Sequence, residues 1–166
     1  MSLTPEIAKK SVKRNNKYND VINILWLQGS EGRREDKIFN NIKDIIIFSA
    51  MVGKKYEKRE SLESDNTPIL IDTFSGVGSL KDSRVDQHNL IFMFSLLIKK
   101  DMNYMRDEKI DEVIEEFEEY SNGGLSLIQS WLAESASDPL CILEKMISVY
   151  KSEESGGITL DANPFQ

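Results

Sequence analysis

The sequence predicts a mainly α-helical, single-domain bundle of about six helices, with a short strand or hairpin near residues 68–74. Three observations carry this expectation. A chain of 166 residues fits one domain and is long enough to bury about 70% of the surface its unfolded form exposes. A composition of 40% hydrophobic and 30% charged residues is that of an ordinary globular protein, not of a disordered one. Apolar residues recur at helical spacing through most of the chain, and the period fades only between residues 60 and 86.

Taken in order, the first helix is expected over residues 5–27. Val12, Tyr18, Val21, Ile22, Leu25 and Trp26 supply its apolar stripe, and a glycine-rich stretch at 28–32 stops it. A second helix runs from an N-cap at Asn40 or Asn41 to Val52, with Gly53 as C-cap. Ile42, Ile45, Ile46 and Ser49 form one face, and Phe48 and Val52 widen it into that of a central, buried helix. Pro68, Ile69, Leu70 and Ile71 read as a short strand, and residues 74–78 as an anchored loop. Asp86 caps a third helix carrying Leu90, Ile91, Phe94, Leu97 and Ile98. A fourth starts near Asp107, places Ile110, Val113, Ile114, Phe117 and Ser121 on one stripe, and ends at Asn122, Gly123 and Gly124. Leu125, Leu127, Ile128, Trp131 and Leu132 make a short fifth. Asp138 and Pro139, an N-cap followed by proline at the first helical position, open a sixth with Ile142, Leu143, Met146, Ile147 and Tyr150. The helical domain is expected to span residues 1–151, and residues 152–166 to form a flexible tail.

The net charge of −7 hides an asymmetry. Residues 1–59 hold 13 Lys/Arg against 7 Asp/Glu, a balance of +6, whereas residues 60–166 hold 8 against 21, a balance of −13. Such halves either complement one another or address two different partners. Overall acidity argues against a general nucleic-acid coat but not against one local phosphate-contacting patch. The single cysteine, Cys141, excludes an intramolecular disulfide, and with one histidine, His88, no zinc spacing exists. No apolar run is long enough to span a bilayer, and the opening residues lack the continuous apolar core of a secretory signal, so a cytoplasmic protein is expected.

Candidate chemistry is sparse. Asp107, Glu108, Asp111, Glu112, Glu115, Glu116, Glu118 and Glu119 recur three and four apart, but a metal needs ligands converging from separate elements, so a solvated helix face is expected. Glu35, Asp36 and Lys37 have the acid-x-lysine form of a nuclease superfamily, with Asp20 as an upstream acid. The acids of those enzymes lie on adjacent strands, whereas Asp20 is expected on a helix and Glu35 on a polar loop. Gly76 and Gly78 are too few for a phosphate-binding fingerprint and read as a turn. His88 is expected as a surface or capping residue, Cys141 as packing, and Trp26 and Trp131 as core. No catalytic residue, metal ligand or cofactor is assigned. The basic segments are the candidate binding surface for nucleic acid or a partner: Lys9, Lys10, Lys13, Arg14 and Lys17 on the first helix, Arg33 and Arg34 in the following loop, and Lys54, Lys55, Lys58 and Arg59 after the second helix.

Residues 39–59 also carry a resemblance. Phe39 leads a helix that ends in Ala50-Met51-Val52-Gly53, followed by Lys54-Lys55-Tyr56 and by Lys58-Arg59. Pro68 with Phe74, Asp86 before an apolar helix, and the Tyr120-Ser121-Asn122-Gly123-Gly124-Leu125 stretch add to it. Over about residues 18–150 the chain resembles the Dnd system-associated protein four family, encoded beside the genes of DNA phosphorothioation. The resemblance implies bacterial (phage) defence by restriction-modification, in which DNA bearing sulfur at a non-bridging phosphate position is made or discriminated. It implies partners among the proteins of that modification or restriction complex, and supplies no catalytic residues. The expected function is that of a non-enzymatic accessory protein binding other proteins and, through its basic half, DNA. A stand-alone DNA-binding regulator and a divergent metal-dependent nuclease are the alternatives.

Overall fold

The computed structural model describes residues 4–26, 38–74 and 87–155, with side chains left undescribed at 149–150 and 152–155. Its elements are α1 (Pro5–Ala8), β1 (Ser11–Asn15), α2 (Asn19–Leu25), α3 (Ile42–Lys55), β2 (Asn66–Leu70), α4 (His88–Lys99), α5 (Ile110–Glu134) and α6 (Leu140–Ser155), with short 3-10 turns between several of them. The domain is mainly α-helical, and β1 and β2 form a small antiparallel ribbon.

The helix expected over residues 5–27 is not one helix. Thr4 caps α1 by accepting from the Ile7 N–H, and Pro5 sits where its missing N–H costs nothing. The chain then extends as β1, turns through Asn16–Tyr18, and resumes as α2. The asparagines at 15, 16 and 19 are poor helix formers that bond locally to the backbone. Asn15 and Asn16 here hold the segment at 60–67. The Asn16 N–H donates to the Asp65 carbonyl at 3.1 Å, and the Thr67 hydroxyl donates to Asn16 Oδ1 at 2.5 Å.

β1 pairs with β2 in the register Val12 to Ile69, Lys13 to Pro68 and Arg14 to Thr67. The Lys13 N–H points away from β2, toward α5, so its pairing with Pro68 is a non-hydrogen-bonded one. The proline's absent N–H therefore falls on the outer edge of β2, where it discourages a further strand from adding.

α5 is the organising element. Its 25 residues span about 37 Å at 1.5 Å per residue, and every other helix but α1 packs on it or beside it. Two helices were expected here, separated by a glycine stop; the glycines instead lie inside one helix at its crossing with α3. A Cβ on Gly124 would collide with the Ser49 carbonyl, one on Gly53 with the Tyr120 carbonyl, and one on Gly123 with the Lys58 carbonyl. Three glycines inside helices cost roughly 1 kcal/mol each in propensity, and the near-contact of the two backbones is what they allow.

Gly53 is thus not the C-cap of α3. The helix runs on to Lys55, and Glu57 takes the left-handed conformation at φ 50°. The Lys58 N–H bonds the Gly53 carbonyl at 2.8 Å and the Glu57 N–H bonds that of Lys54 at 3.2 Å, the paired bonds of a Schellman ending. The expected N-cap position Asn41 holds extended backbone but caps through no side-chain bond. The core gathers Tyr18, Leu25, Ile45, Ile46, Phe74, Phe92, Phe117, Leu125 and Ile128, all fully buried around α5. Trp131 and Cys141 are buried as expected, and Trp26 packs against the core. His88 does open α4, yet it is buried rather than on the surface.

Candidate functional site

Several cations of the two basic clusters are engaged by carboxylates or buried. Strand geometry puts Lys13 and Arg14 on opposite sides of β1: Lys13 is exposed, and Arg14 is buried with its guanidinium donating to Asn19 Oδ1 at 2.7 Å. Burial pushes the Arg14 guanidinium below its usual range. Lys10 pairs with Asp111 at 2.5 Å, and Lys17 with Glu60 at 2.8 Å and Glu63 at 2.5 Å. Lys54 pairs with Glu57, and Arg59 with Glu119 while lying 5.1 Å over the Tyr120 ring. Lys9, Lys55 and Lys58 are exposed. The basic front and the acidic rear therefore meet within one molecule. Arg33 and Arg34, with Glu35 and Lys37, lie outside the described residues, as do Gly76, Gly78 and Asp86; Asp20 is exposed on α2.

The acidic run is likewise not a uniformly solvated face. With 110–134 forming one helix, Glu118 and Glu119 sit at its middle rather than at an unfavourable C-terminus. Glu116 is buried and pairs with Lys99 at 3.0 Å. Glu118 is buried and accepts the Lys13 N–H at 2.6 Å. One helical turn on, Asn122 Oδ1 accepts the Asn15 N–H at 2.9 Å. Two side chains four residues apart on α5 thus satisfy alternate N–H groups along the free edge of β1, as a neighbouring strand would. Asn15 extends this arrangement, donating to Glu60 Oε1 and the Ser61 carbonyl and accepting the Glu63 N–H at 2.8 Å. The Tyr18 hydroxyl donates to Glu60 at 2.7 Å, and burial followed by that carboxylate pushes its phenol up to about 12.

Above this edge lies a groove of about 580 Å³. Lys9, Lys10 and Lys13 form one wall, and Asp111, Glu115, Glu118 and Glu119 on α5 form the other, with Ser61 and Leu62 at the end. Three lysines thus face four carboxylates. Desolvation raises the Glu118 carboxyl to about 7, a shift that the Lys13 N–H partly opposes. Among the described residues no three His, Cys, Asp or Glu side chains converge to hold a metal ion. Its lining offers both ammonium and carboxylate groups for ion pairs and hydrogen bonds. Sequence reasoning missed Glu118, Asn122, Asn15 and Glu60. The spacing of Glu118 and Asn122 was visible, but the strand it serves lies about a hundred residues away.

Two of the segments that carry the resemblance, 39–59 and 120–125, are the opposed sides of the glycine crossing. A protein-family model described as DNA sulphur modification system-associated protein 4 matches residues 11–162. The chain belongs to this family. Its association is with a DNA sulphur modification system, and these segments hold the fold: Gly53 and Gly124 set the helix crossing, Gly123 admits the Lys58–Arg59 backbone that follows α3, and Asn122 anchors β1. No curated protein and no solved structure matches the chain. No helix among the described residues is long and apolar enough to cross a membrane.

Proposed function

We propose that this chain is a non-enzymatic accessory protein of the DNA sulphur modification system with which its family is associated. It acts by docking onto another protein of that system through the mixed-charge groove between β1 and α5. The observation that carries this reading is the matching of charge: three lysines opposite four carboxylates, with Lys10 already paired to Asp111. A duplex offers one phosphate about every 1.7 Å along its axis and is held by uncompensated Lys and Arg that release its counterions. A wall of carboxylates opposes that, whereas a protein surface carrying both signs fits it. DNA contact through Lys9, Lys13, Lys55, Lys58 or Arg59 is secondary in this reading. The setting is the bacterial cytoplasm, and the service is to a defence system that makes or discriminates sulfur-bearing DNA.

Co-purification with the products of the neighbouring modification and restriction genes tests this. The wild-type chain captures one of them, and reversal of Lys9 and Lys13 to Glu, both exposed, lowers the yield at least tenfold without unfolding the protein. Capture unchanged by the reversal contradicts the groove as the docking surface.

A further inference from the structure

Among the described residues, two grouped apolar faces are half open. One is a groove of about 230 Å³ between α3 and α4, walled by Ile47 and Met51 on one side and Leu90, Met93 and Leu97 on the other, with Phe117 at its floor. The second is a ridge on α6 formed by Leu140, Leu143 and Ile147. Met51, Met93, Leu97 and the three ridge residues are each between 48% and 57% exposed. Large apolar side chains grouped in this way mark interaction surfaces, whereas scattered ones do not.

We infer that the α6 ridge of a second copy of this chain docks into the α3–α4 groove, so that copies associate head to tail. The two faces match in spacing. Residues 90, 93 and 97 and residues 140, 143 and 147 both follow i, i+3, i+7, so each stripe runs about 10 Å along its helix. They also match in charge. Lys55 lies one turn beyond Met51 and Lys100 three residues beyond Leu97, so the groove ends in two exposed lysines. Asp138 lies two residues before Leu140 and Glu144 beside Leu143, both exposed, while the neighbouring Lys145 is taken up by Glu134. Antiparallel docking brings Asp138 to Lys55 and Lys100 and sets the start of one helix against the ends of two others, the favourable arrangement of their dipoles.

The ridge cannot fill the groove of its own molecule. The groove's floor is Phe117, whereas α6 is tied to α5 at Glu134 through Lys145 at 3.1 Å. Those positions lie about 25 Å apart along the helix. The contact therefore joins unlike surfaces and extends from copy to copy. With three apolar anchors and few charges it is weak, in the micromolar range. Neither face shares a residue with the groove between β1 and α5, so the two readings are tested separately.

Sedimentation of the full chain from low to high micromolar concentration provides the test. The wild type gains mass with concentration, and Met93→Glu and Leu143→Glu each abolish the gain; both positions are exposed, and circular dichroism verifies that the variants fold. An equimolar mixture of the two variants forms dimers and stops there, because one retains an intact ridge and the other an intact groove. A wild type that stays monomeric overturns the inference, as does association indifferent to both substitutions. A mixture that fails to dimerise excludes the head-to-tail geometry. A monomer that associates only after deletion of residues 156–166 assigns the groove to the chain's own C-terminal segment, and a monomer whose Met93→Glu variant loses capture of a system protein assigns it to that partner; either result also overturns it.

Discussion

Glu118 shows how much one residue's role depends on what the fold brings to it. Its carboxyl is raised to about 7 by burial, so between the unfolded value near 4.5 and 7 the native protein binds more protons than the unfolded chain. Its contribution to stability is thus fully present below pH 4.5 and is lost as the pH rises through about 7, an effect on the order of 1–3 kcal/mol. Glu118→Gln keeps an oxygen for the Lys13 N–H and removes the charge. Denaturant midpoints between pH 5 and 8 are expected to fall for the wild type and to stay nearly level for the variant; parallel curves contradict the assignment. Asn122→Ala strips the acceptor from the buried Asn15 N–H and is expected to cost about 1–3 kcal/mol at unchanged denaturant slope. At this scale the apolar positions were legible in the sequence, as Trp131 and Cys141 illustrate. Glu116 and Glu118 were not, because each is buried where a partner distant in sequence meets it, and Arg14 was not because its stretch was read as helix, whereas β1 turns it inward to Asn19. For Glu118 that partner is a backbone N–H on β1, and for Glu116 it is Lys99.

Among the elements, the crossing of α3 and α5 decides how the rest is placed. Alanine at an unobstructed helical glycine stabilises by about 1 kcal/mol. At Gly124 the added carbon meets the Ser49 carbonyl, backbone that cannot swing aside, so the sign reverses. Gly124→Ala is expected to lose about 2–3 kcal/mol, read as a lower unfolding midpoint, and a gain in stability would show that the helices are not in contact there. The same glycines explain why the helix boundaries were misread. Glycine ends helices and also lets them touch, and local sequence does not distinguish the two uses. In the first 27 residues the opposite confusion occurred. Val12, Tyr18 and Val21 fit a helical stripe, yet β1 forms because Asn66–Leu70 offers it a partner. The expected strand at 68–71 was close to the observed β2 because proline and β-branched residues carry a local signal.

For the whole molecule, about six helices and a short strand or hairpin near residues 68–74 were anticipated; one expected helix divides, two others merge, and the strand's partner comes from the segment read as the first helix. Charge was legible as an asymmetry between the two halves, and the fold resolves it mainly as self-complementarity: Lys10 to Asp111, Lys17 to Glu60 and Glu63, and Arg59 to Glu119. Exposed pairs such as these add little stability, commonly under about 1 kcal/mol each. Their consequence is for recognition, because cations engaged by carboxylates are poorly placed to take up phosphate. The most direct measurement of that claim is a titration of the protein with duplex DNA over a range of salt concentrations. The account predicts weak binding with a log–log salt slope no steeper than about −2, the release expected for one or two phosphate contacts. Tight binding with a slope of about −4 or steeper, abolished by charge reversal at Lys54, Lys55, Lys58 and Arg59, would contradict it.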